Sequence, residues 1–358
     1  MKHIFLFLII SLFLHLDLSA TIRTVSNNPD NLAQYNTIQS AVNASSSGDT
    51  ILVHGSPTRY AAFTITDKRL TIIGPGWAPL QDFMAYRATV DGMSIIGVNC
   101  RHTEIQGMDF FLPVSINTSH PDSLRFFRNR FQTAFYLGNA GTYRGYVFQG
   151  NWFDLGWMSV GAGITLANFL FQNNIFYGNT SNGNFYGFTN CQNVLFDHNL
   201  WYGPAGTGTA ACFGNASKNL LFTNNIFVHR NAATNVTLSV FNNNITFGAG
   251  VNNPWDAAYG NSNGGGNIEN QDPMMADQSQ VNAGTANPLL NFTIASGPAN
   301  NSGSDGKDMG LLFDATGSLN WANSRLSRIP FVFSMNLATP TVVPGGTLQV
   351  QVEARSSN

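Results

Sequence analysis

One short pattern, Phe-x-x-Asn-x-aromatic, recurs along the chain and restricts its fold more than any other feature. It reads Phe126-Phe-Arg-Asn129-Arg-Phe131, Phe148-Gln-Gly-Asn151-Trp-Phe153, Phe171-Gln-Asn-Asn174-Ile-Phe176, Phe196-Asp-His-Asn199-Leu-Trp201 and Phe222-Thr-Asn-Asn225-Ile-Phe227, with a weaker sixth copy at Phe241-Asn-Asn-Asn244-Ile-Thr246. The asparagines lie 22, 23, 25, 26 and 19 residues apart. Self-similarity at this period is the mark of a solenoid. A second pattern, an apolar residue two positions before another asparagine, occurs at Leu137/Asn139, Leu166/Asn168, Phe188/Asn190 and Phe213/Asn215. Each unit therefore holds at least two strands and two turns.

A coil of this length cannot stand alone. Ordering its backbone costs roughly 1 to 2 kcal/mol per residue, and each inward side chain returns only about 1.5 to 3 kcal/mol. Stacked coils pair strand with strand and lay phenylalanine on phenylalanine. The same stacking lets each asparagine amide bond to the coil next to it, which explains an amide placed within an apolar cluster. A leucine-rich repeat has a similar period and an apolar-x-x-Asn-x-apolar core, but it returns through helical or 3₁₀ segments. Here the returns at 177–190 and 202–217 are rich in Gly, Asn and Thr, which favour turns. The expected fold is an all-β solenoid.

The flanks carry a family resemblance. Tyr35-Asn-Thr-Ile38 through Val42, the turn at Gly48-Asp49, the strand Thr50–Val53 and the run at 70–76 resemble the opening segment of secreted right-handed parallel β-helix proteins in the pectate-lyase-like superfamily. Ile38, Ala41 and Val42 have helical spacing, so a short amphipathic helix can cover the first coil. Residues 267–275 and 291–310 are similar to that family's closing signature, including Ser304-Asp-Gly-Lys-Asp308. The resemblance implies a right-handed parallel β-helix over 21–320 with an N-terminal capping helix, followed by a C-terminal β segment or tail at 321–358. Asp305 and Asp308 read either as calcium ligands or as part of a turn-rich closure. The tail reads either as a hairpin packed on the helix or as a recognition tail.

Residues 1–20 carry Lys2, an apolar stretch from Ile4 to Leu14 and small residues at Ser19 and Ala20, the pattern of a secretory signal. The expected location is secreted or cell-surface, with no membrane insertion after signal removal. Only 10% of residues are charged and the net charge is −2, so neither nucleic acid nor an anionic membrane is an expected partner. Cys100, Cys191 and Cys212 form an odd set and are expected as buried free thiols. A monomer is expected.

Candidate site residues follow from the outward rows. In a strand, the residue next to an inward one points out. The row three positions after the ladder asparagine reads Gln132, Asp154, Tyr177, Tyr202, Val228. Tyr177 and Tyr202, with Asp154, Asp197, His229 and Arg230 around them, form a candidate sugar platform, aromatic face to pyranose and polar groups to hydroxyls. The competing reading is a tyrosine stack that merely covers the helix. Arg125, Arg128, Arg130 and Arg144 offer a second candidate, a basic patch for an acidic polysaccharide, against the alternative of a solvated face.

Chemistry is less legible. Asp197-His198 resembles part of the Trp-x-Asp-His signature of pectate lyases, but no arginine-proline motif accompanies it, and the motifs of polygalacturonase-like hydrolases are absent. Calcium-assisted elimination needs several carboxylates on one ion. Asp154 and Asp197 sit two coils apart, so no carboxylate cluster supports calcium and no cofactor or metal is expected. No catalytic residue is assigned. The leading expectation is a secreted β-helix that binds an extracellular polysaccharide, with uronate β-elimination as the chemistry if it turns substrate over. The alternative is a non-catalytic surface, adhesion or structural solenoid. A hydrolase using Asp256, Glu269, Asp272 and Asp277 ranks behind both, and residues 77–104, with Trp77, Asp82 and Arg87, read as an insertion beside the groove.

Overall fold

A computed structural model describes residues 20–78, 86–178, 183–204, 210–214, 216–249, 255, 259–314, 319–325, 331–337 and 345–355. The signal segment, Asp82 and Asp256 lie outside the described residues. The chain winds as a parallel β-solenoid of about eight turns. Three sheets run its length, with twelve, eight and seven strands among the described residues. One coil shows the plan. Val147–Gln149 lies in the first sheet, Trp152–Asp154 in the second and Met158–Val160 in the third, and the chain then re-enters the first sheet at Ile164–Gln172.

The repeat sets the register. Phe126, Phe148, Phe171, Phe196, Phe222 and Phe241 are partners on successive strands. Their rings stack at 5.0, 4.9, 4.5, 5.2 and 4.6 Å between centroids. The aromatic two residues after each ladder asparagine forms a parallel column, Phe131, Phe153, Phe176, Trp201 and Phe227, at 4.8, 4.9, 4.6 and 4.7 Å. The two columns line one continuous core.

Between them stands the asparagine ladder. Each Nδ2 donates to the Oδ1 of the next asparagine along, at 3.2, 3.0, 3.0, 3.0 and 2.8 Å from Asn129 to Asn244. The same Nδ2 donates back to a carbonyl one coil earlier, as Asn174 does to Phe148. Each Oδ1 also accepts a backbone N–H, as Asn174 does from Asn151. Asn129 to Asn244 are all 0% exposed, yet every amide has partners. The ladder gains a rung that the repeat did not announce, Asn267, which accepts from Asn244 at 3.0 Å. It was hidden because Gly264, not phenylalanine, stands three residues before it.

The residue before each rung takes a left-handed backbone, which turns the chain from the first sheet to the second. Arg128, Asn173, His198, Asn224 and Asn243 have φ from 50 to 59°, and Gly150 has 65°. Asparagine and glycine tolerate that region, which is why Asn-Asn pairs recur.

The N-terminal cap is the expected helix, Ile38–Ala44, with Ile38, Ala41 and Val42 buried and Thr37 accepting from the Ser40 N–H. Lys68 closes its other end, donating to the carbonyls of Val42 and Ser45. One correction applies here, because the strand Ile22–Val25 precedes the helix and pairs with Thr50–Val53, so the helix interrupts the first turn. A second concerns the insertion expected at 77–104, of which the part from 86 onward carries regular coil elements: Thr89–Val90 and Met93–Ile96 take places in the second and third sheets. The secondary apolar-x-Asn pattern is likewise not one structural column. Leu137 and Phe213 lie in the third sheet, whereas Leu166 lies in the first.

After the last coil, residues 268–314 and 319–325 lie along the outside of the solenoid as a strap that crosses the coils more than once. Gly284 and Thr285 already take bonds from Tyr177 and Tyr202; the chain is back beside Asn243, which donates to Ser302 O, and then reaches earlier coils again, the Gly310 N–H donating to Asn224 O and the Leu312 N–H to Asn173 Oδ1. At its end Trp321 meets Trp77, 5.3 Å between centroids. The turn-rich reading of 304–308 holds in the described structure, where the Lys307 N–H bonds Asp305 Oδ1 and the Asn301 N–H bonds Asp308 Oδ1. Beyond the strap, Phe331–Leu337 and Val350–Arg355 form an antiparallel hairpin.

Replacing a ladder amide leaves several buried groups unmet at once, each worth about 1 to 3 kcal/mol. Asn174→Ala is expected to cost about 4 kcal/mol in urea unfolding. Asn193→Gly, which keeps a left-handed turn and loses only an exposed bond to Asn168, should stay within about 0.5 kcal/mol.

Candidate functional site

The strap decides which outward residues face solvent. Tyr177 and Tyr202 do not form an open platform: they are 7% and 0% exposed. Their hydroxyls donate to the carbonyls of Gly284 and Thr285 in the strap, at 2.9 and 3.1 Å. Gly284 is needed at this crossing, since it has φ +67° and a Cβ there would lie 2.2 Å from the Cα of Pro204. Burial pushes both phenols above their ordinary value. Together with Ile175, Leu200, Ile226, Val228 and Ile245 they face Met275, Val281, Phe292, Ile294, Met309 and Leu311, making a second core. The alternative of a half-exposed stack covering the helix is not observed either, since the strap covers the tyrosines in turn.

The remaining expected residues divide in the same way. Arg230 is not at a lip but 1% exposed, donating to the Gly178 carbonyl in space that Gly178 and Gly203 leave free. His229 is half-buried, with Nδ1 against the Gly248 carbonyl. Asp197 is saturated: Gln172 donates to one oxygen, and Thr223 and Asn224 donate to the other. His198 is buried, with Nδ1 3.1 Å from Gly310 O and Nε2 3.4 Å from Asp305. Of the pectate-lyase-like dipeptide, His198 therefore holds the strap, while Asp197 ties neighbouring coils together. Glu269 is exposed, Asp272 and Asp277 accept from nearby backbone N–H groups, and the three do not converge with one another. The arginine candidates do not act as one patch: Arg128 is buried and Arg130 sits between two aspartates, whereas Arg125, 3.9 Å from Glu104, and Arg144 are exposed.

One outward column marks where the strap stops. By strand register it reads Thr89, Asp109, Arg130, Trp152, Ile175, Leu200, Ile226, Ile245. The aliphatic end lies under the strap, Trp152 meets the end of the strap through Trp77, and the charged end lies beyond it. There Asp109 accepts from Thr89 and Gln132 and pairs with Arg130 at 3.5 Å. Asp154 receives both Nε and Nη2 of Arg130 on Oδ2. The Arg130 guanidinium lies over the Trp152 ring, 4.4 Å from its centroid. Of the sequence candidates, Asp154 from the sugar platform and Arg130 from the basic patch meet in this cluster. Trp152 was detectable as the one aromatic residue in this column. Beside the junction, Trp77, Leu289, Leu290, Phe313, Trp321 and Arg325 line a cavity of about 280 Å³.

The third sheet presents a different surface. Its outward row, by register, is Thr64, Ser94, Ser115, Tyr136, Ser159, Tyr186 and Gly214. Tyr136 is 36% exposed and Tyr186 is half-buried. A Cβ at Gly214 would lie 2.1 Å from Cε1 of Tyr186, so that ring lies over the next coil. The row carries hydroxyls and aromatic rings but no charge. Sequence reasoning missed it because the strands of this sheet follow no repeated motif.

Among the described residues no group of three potential metal ligands converges, and no helix is long and apolar enough to cross a membrane. No protein-family model matches the chain, and no curated protein matches it in sequence.

Two outcomes follow. Tyr202→Phe removes a single buried hydroxyl bond and should lower stability by about 1 kcal/mol in thermal unfolding, with no effect on ligand binding at the surface. Cys191 and Cys212 are both buried, which pushes each thiol up to about 12. The folded protein should therefore show no reaction with a thiol reagent at pH 8. Because the unfolded thiols ionise near their ordinary 9.0, the fold keeps this stabilisation below that pH and loses it as pH rises toward 12.

Proposed function

We propose that the chain is an exported β-helix of the pectate-lyase-like kind that binds an extracellular polysaccharide along the open face of its third sheet. The observation that carries this reading is the pair Tyr136 and Tyr186, exposed to differing degrees on strands two apart with Ser159 between them. Two strand spacings are roughly 10 Å, which suits two rings stacking on sugars of one extended chain while the intervening hydroxyl bonds between them. An aromatic face takes the apolar face of a pyranose, and the Ser159 hydroxyl can serve as donor or acceptor, while that of Ser115 already meets Ser94 at 3.3 Å. The signal pattern at 1–20 supports export.

The proposal is one of binding. β-Elimination would need a base, and of Asp197 and His198, which resemble a lyase signature, the first already accepts from Gln172, Thr223 and Asn224 of the coils and the second already meets the strap. A rigid surface spacer is the second reading. It draws on the half-buried aliphatic row Val147, Leu170, Leu195, Leu221 and Val240 along the first sheet, a surface that suits packing against another body.

Affinity electrophoresis through neutral and uronate polysaccharides tests the proposal. At least one polymer should retard the protein, and each of Tyr136→Ala and Tyr186→Ala should weaken binding by about 1 kcal/mol, roughly fivefold. Retardation by none would favour the spacer, and full retardation of the double variant would overturn the third-sheet site.

A further inference from the structure

Trp157 stands apart from the other tryptophans. Trp77, Trp152, Trp201, Trp255 and Trp321 are at most 5% exposed, whereas Trp157 is half-buried. It directly precedes the strand Met158–Val160 of the third sheet and already follows that sheet's register. Its carbonyl accepts the Phe135 N–H of the coil before, and the next N–H, that of Met158, donates to Asn184 O of the coil after. Met158 and Val160 are buried and Ser159 between them faces out, so alternation sends the Trp157 ring to the same side as Ser159. On the two neighbouring coils this position holds Ala134 and Asn184, both buried. The indole is thus the largest group of the three and lies beside the outward row. A single exposed ring is ordinary. Here Tyr136, Trp157 and Tyr186 place one ring on each of three successive coils, on one face. The Tyr186 ring lies over Gly214 of the coil that follows, so the rings reach across four coils, roughly 14 Å.

This surface selects among polymers by charge and by shape. Neither the outward row nor the positions of Ala134, Trp157 and Asn184 carry charge, so a uronate would bring its carboxylates to positions that offer no cation. Successive rings follow the solenoid axis one coil apart, about 4.8 Å. A chain of equatorially linked pyranoses runs straight and advances by nearly that distance per sugar, so it keeps pace with the rings. Chains linked β-1,3 or α-1,4 coil away from a straight row. We infer that this face is a site for a neutral, β-1,4-linked polysaccharide lying along the solenoid axis with about one sugar per coil, and that Trp157 is one of its contacts. The assignment rests on the polysaccharide reading of the third sheet and adds to it the class of chain and a third ring.

With the other tryptophans buried, iodide quenching of fluorescence reads Trp157. The full chain is titrated with cellohexaose, mannohexaose, laminarihexaose, maltohexaose and hexagalacturonate, following this quenching and, in parallel, the heat of binding. Cellohexaose or mannohexaose should bind and shield Trp157 from iodide. Within that series affinity should rise from the disaccharide to the tetrasaccharide and then level off. Trp157→Ala should weaken binding roughly fivefold and leave the melting temperature unchanged. Trp157→Phe, which keeps an apolar ring, should lose the fluorescence signal and retain most of the affinity by calorimetry. An alanine variant that melts lower and binds as before would mark the indole as a cover for the turn and overturn the inference. Tighter binding of laminarihexaose, maltohexaose or hexagalacturonate would also overturn it; if the Tyr136→Ala/Tyr186→Ala double variant abolishes that binding, the third-sheet reading survives. Binding of none of the five, with tyrosine-dependent retardation by some polymer, removes this assignment alone. Binding of none and retardation by none removes both.

Discussion

A buried amide is tolerable only when both its donor and its acceptor are used, and this constraint organises the molecule. No single coil can satisfy the amide of Asn151 or Asn174, because each needs an oxygen from the following coil and a carbonyl from the preceding one. The ladder therefore makes stacking obligatory, and the phenylalanine columns on either side make it favourable. It also limits itself. Before Asn129 the ladder position holds Met108, whose backbone N–H bonds the Oδ1 of Asn129, so the column starts without an open acceptor. At the other end Asn267 turns its amide toward Phe241 O and Asn263, where the coils stop.

The turn that carries the ladder has a second use. Its left-handed residue points out of the solenoid, and at Asn173, His198, Asn224 and Asn243 that side chain bonds the strap. One two-residue corner thus secures the inner column with its second member and the outer layer with its first. The strap converts the outer face of the second sheet into core and leaves uncovered the row of hydroxyls and rings on the third sheet and the charged cluster where the strap ends.

The stacking direction was legible from the sequence because identical residues must meet when parallel coils pile in register, so Phe171 and Asn174 announce themselves by repetition. The strap was not, because it crosses the coils and carries no period. Its effect was nevertheless written in the strands it covers. Ile175-Phe-Tyr177, Leu200-Trp-Tyr202 and Ile226-Phe-Val228 are apolar at every position, the pattern of strands buried on both faces. Reading Tyr177 and Tyr202 as exposed weighed their alternation with Phe176 and Trp201 and overlooked the isoleucines and leucine beside them. Asp154 was placed correctly on the surface but apart from its partners, since Asp109 and Arg130 meet it only through strand register. Tyr136 and Tyr186 gave no signal because the third sheet is built from dissimilar triplets.

Hydrogen exchange at single-residue resolution addresses the ladder most directly. The backbone N–H groups of Asn151, Asn174, Asn199 and Asn225, each bonded to the next rung, should exchange only through global unfolding, with protection matching the full unfolding free energy, while the N–H groups of Gly310 and Leu312 in the strap exchange sooner. Rungs that exchange through local opening, earlier than the strap, would contradict a fold held by its column of amides.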